Sequence, residues 1–118
     1  MEIETVKVTP DRYTTFRYAG ASGDFNPIHL DDAFAQQVGL PGKIVHGLWT
    51  MAQVARTTTE SSGGPASLKS LDVTFRGMGV PEKELTITGT ANDDGTVDLQ
   101  VEQEDAMIIR RATAEIRA

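Results

Sequence analysis

The sequence predicts an α+β fold in which an antiparallel sheet packs against one long helix. The first half of the chain repeats its apolar residues at helical spacing, whereas four segments of the second half alternate apolar and polar residues. Short turn sequences join those segments, as in antiparallel sheets. With 118 residues the chain has the usual size of one domain, which we place at residues 1–118.

The N-terminal elements are predicted to be one short strand and one helix. Ile3 to Val8 alternates apolar and polar residues and is compatible with a strand. Thr9 is suited to cap a helix and Pro10 to occupy its first turn, so we expect a helix to begin there. The small, flexible segment 20–23 is expected to end it.

Two further helices are predicted before the strands. Asp31 and Asp32 place negative charge at the start of a short helix, Ala33 to Val38, which favours its dipole. The longest helix is expected from His46 to about Glu60. Its apolar stripe has the spacing i, i+3, i+4 and i+7 and is predicted to pack on the sheet; the stripe consists of Leu48, Met51, Ala52 and Ala55.

Four strands are predicted in the second half, and Asn92-Asp93-Asp94-Gly95 has the composition of a hairpin turn between two of them. The alternating segments are Leu71 to Arg76, Leu85 to Thr88, Val97 to Glu102 and Ile108 to Ile116. Arg110 and Arg111 are interpreted as a solvated strand end in preference to a phosphate site.

Composition excludes several function classes. A net charge of −6 gives no basic surface for nucleic acid and no general attraction to anionic membranes. The absence of cysteine excludes a disulfide framework and zinc-finger spacing. Neither a long apolar run nor a signal-like start is present, so we expect a cytoplasmic protein without a membrane span.

The chain has only two histidines, and both lie near a carboxylate and an amide side chain. Asp24 and His29 are five positions apart, a pairing suited to general acid–base chemistry. Asn26 precedes a proline and is therefore biased out of the helical region. An alternative interpretation is that Asp24 and Asn26 only bond nearby backbone in a turn. Phe25 and Ile28 are expected to anchor this loop in the core, leaving its polar side chains on the open side.

The second histidine precedes a glycine that opens the predicted long helix. The first amides of a helix have no partner within it, and glycine allows a substrate oxygen to approach closely. The Gly47 amide is therefore a candidate oxyanion donor, with a packing glycine as the alternative. His46 is interpreted as a cap or supporting group rather than a base. Asp24, His29 and His46 together are also a possible metal triad, which we consider much less favoured.

The stretch Tyr18-Ala-Gly-Ala-Ser-Gly-Asp-Phe-Asn-Pro-Ile-His-Leu-Asp31, continuing through Ala35 to Ile44-Val-His-Gly-Leu48, resembles the MaoC-like family. This family contains R-specific enoyl-CoA hydratases and (3R)-hydroxyacyl-thioester dehydratases. The resemblance implies a hot-dog fold, a sheet wrapped around a long helix, and a paired assembly with sites near the subunit interface. It implies that Asp24 and His29 are catalytic, that Gly47 supplies the oxyanion amide and that Asn26 lies beside the site.

The expected function is therefore reversible hydration of trans-2-enoyl thioesters to (3R)-3-hydroxyacyl thioesters. Two alternatives remain: a catalytic subunit of a heteromeric dehydratase whose partner supplies the acyl tunnel, and a non-catalytic acyl-thioester-binding protein. We expect no cofactor and no metal, with coenzyme A or acyl carrier protein present only as part of the substrate. We expect a homodimer or a heterodimer with a related chain.

Overall fold

The computed structural model describes residues 1–117 and has the element order expected for an α+β domain. Three helices and two 3₁₀ turns lie among and before five strands. The elements are β1 (Val6–Val8), α1 (Thr14–Ser22), a 3₁₀ turn (Pro27–His29), α2 (Asp32–Gln37), α3 (Gly47–Glu60), a 3₁₀ turn (Pro65–Ser67), β2 (Leu68–Phe75), β3 (Leu85–Ala91), β4 (Thr96–Gln103) and β5 (Ala106–Ile116).

The strands form one antiparallel sheet in the order β1-β3-β4-β5-β2. The predicted hairpin is confirmed: β3 and β4 are joined through residues 92–95, and Gly95 adopts a φ of 84° there. That left-handed conformation favours glycine, which explains its place in the turn. The short β1 and the longer β2 lie at the two edges of the sheet.

Helix α3 packs on one face of the sheet and contacts β2, β3, β4 and β5. Val54 of α3 is fully buried and packs within the hydrophobic core. The strands supply the apolar residues opposite it: Leu85, Ile87, Val97, Leu99, Val101, Ile108, Ile109, Ala112 and Ala114. The predicted packing of a long helix on one sheet face is therefore confirmed.

The predicted core stripe of α3 is wrong. Leu48 leaves 62% of its surface exposed, and the buried helix face instead consists of Thr50, Val54, Thr57, Thr58 and Thr59. The hydroxyls of Thr57 and Thr58 donate to the carbonyls four residues earlier, at 2.8 and 3.2 Å. Because their hydroxyls form hydrogen bonds within the helix, burying these threonines leaves no unsatisfied hydroxyl and costs little free energy. The apolar stripe consequently faces away from the chain's own sheet.

The predicted start of the first helix is also wrong. Thr9 and Pro10 precede α1, which begins only at Thr14. The Asp11 carboxylate accepts hydrogen bonds from the Tyr13 amide at 2.8 Å and the Thr14 hydroxyl at 3.3 Å. This carboxylate, rather than the Thr9 hydroxyl, organises the N-terminal turn. The predicted end is confirmed, because the residue after the helix is a glycine with a φ of 81°.

Candidate active site

The loop between α1 and α2 uses its own side chains to bond its backbone. The backbone amide of Asn26 donates to Asp24 Oδ1 at 3.2 Å, and the backbone amide of Ile28 donates to Asn26 Oδ1 at 3.2 Å. Asn26 thereby caps the 3₁₀ turn. The turn-forming alternative is thus correct for Asn26, whereas Asp24 retains a second oxygen that these bonds do not use.

His29 is buried at the end of this turn and faces the second oxygen of Asp24. Its Nδ1 lies 2.8 Å from the Ile44 carbonyl, which can only accept, so Nδ1 carries a proton and Nε2 of the neutral ring has the free lone pair. Asp24 Oδ2 lies 3.8 Å from that Nε2, and about half of the Asp24 side chain is exposed. This separation exceeds a hydrogen bond and leaves room for one water to contact both atoms.

His46 supports both members of this pair. Its Nε2 donates to the Asp24 backbone carbonyl at 3.0 Å, and its ring stacks on His29 with centroids 3.8 Å apart and 19° between the planes. The Tyr18 ring lies 4.8 Å from it. Burial, with a smaller effect of the neighbouring His29, lowers the pKa of His46 below its ordinary value. Burial therefore favours the neutral form of His46, whose ring is a platform for the loop.

The N-terminus of α3 presents free amides next to these rings. Trp49 and Thr50 donate to the His46 carbonyl at 3.1 and 3.3 Å. Among residues 1–117, nothing accepts a hydrogen bond from the amides of Gly47 and Leu48. The Phe75 ring covers the Cα of Gly47 so closely that a Cβ there would lie 3.2 Å from the ring. The prediction that a glycine with an unused amide begins the helix is confirmed. The alternative of a packing glycine is also supported, because Gly47 packs against the Phe75 ring.

The triad Asp24, His29 and His46 fits a metal ion poorly, although one ligand atom from each lies within 4.8 Å of the others. A histidine binds a metal along its ring plane at about 2.0–2.1 Å. Because the two rings are stacked nearly parallel, their lone pairs run in offset planes and do not converge. The remaining nitrogen, His46 Nδ1, is buried without a partner among the described residues. Proton transfer suits this arrangement better.

Two expectations for the loop are wrong. Phe25 leaves 61% of its surface exposed and does not anchor the loop, and His29 is buried rather than placed on the open side. The stacking of two imidazoles and the bond to the Ile44 carbonyl fix the loop instead. Phe75 and Tyr18, which border the site, were not predicted, because only the packing of distant segments brings them there.

Comparison with known proteins identifies the family of the chain. Residues 2–112 match the family described as MaoC like domain. The chain belongs to the MaoC-like family. A fatty acid synthase subunit beta of Schizosaccharomyces pombe is 38% identical over 120 residues, which cover 94% of this chain. The match spans only 6% of that subunit's own length.

Two solved structures show that this MaoC-like chain has the hot-dog fold. The (R)-hydratase from A. caviae involved in PHA biosynthesis is 21% identical with a TM-score of 0.84, covering 99% of this chain and 96% of its own. The ChsH1-ChsH2 complex from Mycobacterium tuberculosis is 24% identical with a TM-score of 0.82, covering 97% and 92%. In the part of the MaoC-like chain that the structure describes, no helix is long and apolar enough to cross a membrane.

Proposed function

We propose that the protein adds water to trans-2-enoyl thioesters to give (3R)-3-hydroxyacyl thioesters, and catalyses the reverse dehydration. The observation that carries this proposal is the position of the free His29 Nε2 opposite Asp24 Oδ2, 3.8 Å away. Membership of the MaoC-like family and the similarity to an (R)-hydratase support the same chemistry.

In the proposed hydration, one water donates its two hydrogens to Asp24 and His29. Asp24 is the principal base, and His29 orients the water and shuttles the proton. The water oxygen attacks C3 of the enoyl group, and the released proton is delivered to C2. General acid–base catalysis of this kind contributes about 10²–10⁴-fold.

The thioester oxygen gains negative charge when water attacks, and the free Gly47 amide is the proposed donor to it. The α3 dipole favours negative charge at the same point. One such donor is worth about 10²–10³-fold in kcat. No metal enters this mechanism, because the amide supplies the charge stabilisation and the Asp24–His29 pair moves the proton.

We further propose that the chain works as a pair, with itself or with a related chain. The stripe Leu48, Met51, Ala52 and Ala55 faces away from the chain's own core and includes a largely exposed leucine. Burying such a surface against a second subunit is favourable. The similarity to a two-component complex keeps a heteromeric partner as the second possibility.

Hydration of crotonyl-CoA by the purified chain tests the proposal. We expect loss of the enoyl absorbance, a (3R)-3-hydroxybutyryl-CoA product on chiral analysis, and the same rate after treatment with a chelator. Sedimentation of the same sample separates the two assemblies: an active dimer supports the homodimer, and an inactive monomer supports the heteromeric form. Activity lost on chelation and restored by zinc would contradict the metal-free mechanism.

A further inference from the structure

Three arginines without carboxylate partners lie on the outer face of the sheet, opposite α3. Arg76 follows β2, whereas Arg110 and Arg111 lie in the middle of β5, not at a strand end as expected from the sequence. All three are exposed. Within residues 1–117 none of them forms an ion pair, although five other basic side chains do. In a chain with a net charge of −6, such a cluster is a distinct feature.

A β-bulge places the two adjacent arginines on the same face. Leu99 pairs with Ala112 and Val101 with Ile109, so a single β4 residue, Gln100, opposes both arginines. The pairing of β5 with β2 is interrupted at the same point. Regular alternation would send consecutive side chains to opposite faces, and the extra residue removes that alternation. The bulge therefore concentrates positive charge where a regular strand would separate it.

The arginines line two adjoining depressions of about 610 and 720 Å³. Gln100, Arg110 and Arg111 border both depressions. Hydroxyl side chains complete the lining: Thr88, Thr90 and Thr113 on one side and Thr74 on the other. Volumes of this size are those of small-molecule sites, about 300–1,000 Å³. We call this surface the arginine trough.

The arginine trough and the candidate active site lie on opposite faces of the sheet near the end of β2. Phe75 covers Gly47 on the α3 side of the sheet, and the next residue, Arg76, lines the trough on the outer side. The Arg76 amide donates to the Ile108 carbonyl at 2.9 Å, which holds this end of the chain next to β5. Because β2 is an edge strand, a long flexible arm can pass from one face to the other at this end.

We propose that Arg76, Arg110 and Arg111 bind the phosphate groups of coenzyme A when it carries the acyl group. This inference rests on the proposed function, which supplies a thioester substrate. A guanidinium group offers a planar fork of donors that matches a phosphate, and three groups match the several phosphates of the coenzyme. The pantetheine arm then runs past the end of β2 towards Gly47.

The charges around the trough favour a compact nucleotide over an acidic carrier protein. Asp72, Asp98 and Glu102 are exposed on the same sheet face, and none of them forms an ion pair among the described residues, whereas Glu115 on that face is paired with Lys69 at 3.6 Å. A carrier protein covers about 800 Å² per partner and would bring its carboxylates against the three unpaired acids. Phosphates confined to the trough contact the arginines. The one acid that lines the trough is Asp98, and its carboxylate accepts a hydrogen bond from the Asn92 side-chain amide at 3.1 Å.

Calorimetric titration with free coenzyme A tests the site independently of catalysis. The double variant Arg110→Gln/Arg111→Gln should weaken binding by about tenfold or more, because two charge-assisted contacts are lost. The matched control Lys7→Gln/Arg12→Gln removes the same charge outside the trough and should retain the wild-type affinity. Pantetheine, which lacks the phosphates, should bind all three proteins equally.

Kinetics with two thioesters provides the second measurement. The ratio of the KM for crotonyl-CoA to the KM for crotonyl-N-acetylcysteamine should rise about tenfold in the double arginine variant and stay constant in the control. An unchanged ratio together with unchanged coenzyme A affinity would overturn the site. A KM effect confined to crotonyl groups on a carrier protein would also overturn it.

The same data separate failure of the site from failure of the proposed function. Arginine-dependent binding of coenzyme A without any hydration would contradict the proposed reaction and support the arginine trough. Normal hydration of crotonyl-CoA with no effect of the arginine substitutions would support the reaction and contradict the trough.

Discussion

The loop that carries Asp24 and His29 and the start of α3 contribute to the site in opposite ways. In the loop, the amides of Asp24, Asn26 and Ile28 are bonded to side-chain oxygens, while the Asp24 and His29 side chains retain an unused oxygen and an unused nitrogen that face each other. At the start of α3, the His46 side chain is buried while the Gly47 amide has no acceptor among the described residues.

This difference separates two kinds of chemistry. A group that moves protons must change its protonation state, so it needs a free lone pair and access to water. A group that stabilises developing charge must stay fixed, and a backbone amide at the end of a helix is fixed by the fold itself. Substitutions in the loop should therefore act through side-chain chemistry, and substitutions at the helix start through steric access and stability.

The largest effect is expected in the loop. Asp24→Asn and His29→Asn should each lower kcat by about 10²-fold or more, because each removes a proton-transfer group. In His29→Asn the amide nitrogen can replace Nδ1 as donor to the Ile44 carbonyl, so the fold should be retained. Steady-state hydration of crotonyl-CoA and circular dichroism measure the two properties.

The matched control for the carboxylate is Asp93→Asn, in the exposed turn between β3 and β4. This substitution also removes one negative charge, but at a position distant in sequence from the loop, and it should leave kcat unchanged. Near wild-type kcat in either loop variant would remove that residue from the mechanism.

Sequence reasoning succeeded where local chemistry decides the structure. The turn around Asn26 and the glycine of the β3–β4 hairpin depend on neighbouring residues, and both were predicted. Negative charge at the start of α2 was also predicted, and the structure adds that the Asp31 carboxylate caps this helix. Asp24 and His29 lie in one loop, and their pairing was predicted from their spacing. Gly47 lies on a different segment, so its position relative to them follows from the family resemblance and not from spacing.

The buried face of α3 could not be read from hydropathy. Periodicity identifies an apolar stripe but not its partner, and here the chain's own sheet covers threonines whose hydroxyls are bonded within the helix. The bulge at Arg110 has the same origin, because the register of three paired strands creates it. Both features depend on tertiary contacts that no short window of sequence contains.

The second prediction concerns Gly47→Ala at the start of α3. The added methyl group should lower kcat/KM by about tenfold or more, yet less than the 10²–10³-fold that follows loss of a whole oxyanion donor. The methyl would also lie 3.2 Å from the Phe75 ring, so the ring must shift. Melting temperature and kcat/KM measured together distinguish the two consequences.

Phe75→Ala, alone and combined with Gly47→Ala, is the control for that contact. If the methyl obstructs the thioester oxygen, the glycine substitution should cost the same factor in kcat/KM with or without the ring. Full recovery of catalysis in the double variant, relative to Phe75→Ala alone, would show that Gly47 serves only the packing of Phe75.

The smallest effect is expected from His46, which holds the loop against the helix. Burial lowers the pKa of His46 from its ordinary value of 6.5, so the unfolded chain binds this proton at a higher pH than the folded chain does. Between pH 6.5 and the lowered folded pKa, the unfolded state carries more protons, and the free energy of unfolding therefore falls as pH falls. Below the folded pKa both states are protonated, and the loss levels off.

His46→Gln is the matched variant, because the Gln amide nitrogen can replace Nε2 as donor to the Asp24 carbonyl but does not titrate. Urea unfolding from pH 8 to pH 5 should show a loss of stability on acidification in the wild type and a weaker loss in the variant. The lowered pKa values of Asp11, Asp32 and Asp94 act only near and below their ordinary value of 3.8 and leave this window undisturbed. Equal slopes for the two proteins would mean that His46 titrates alike in both states.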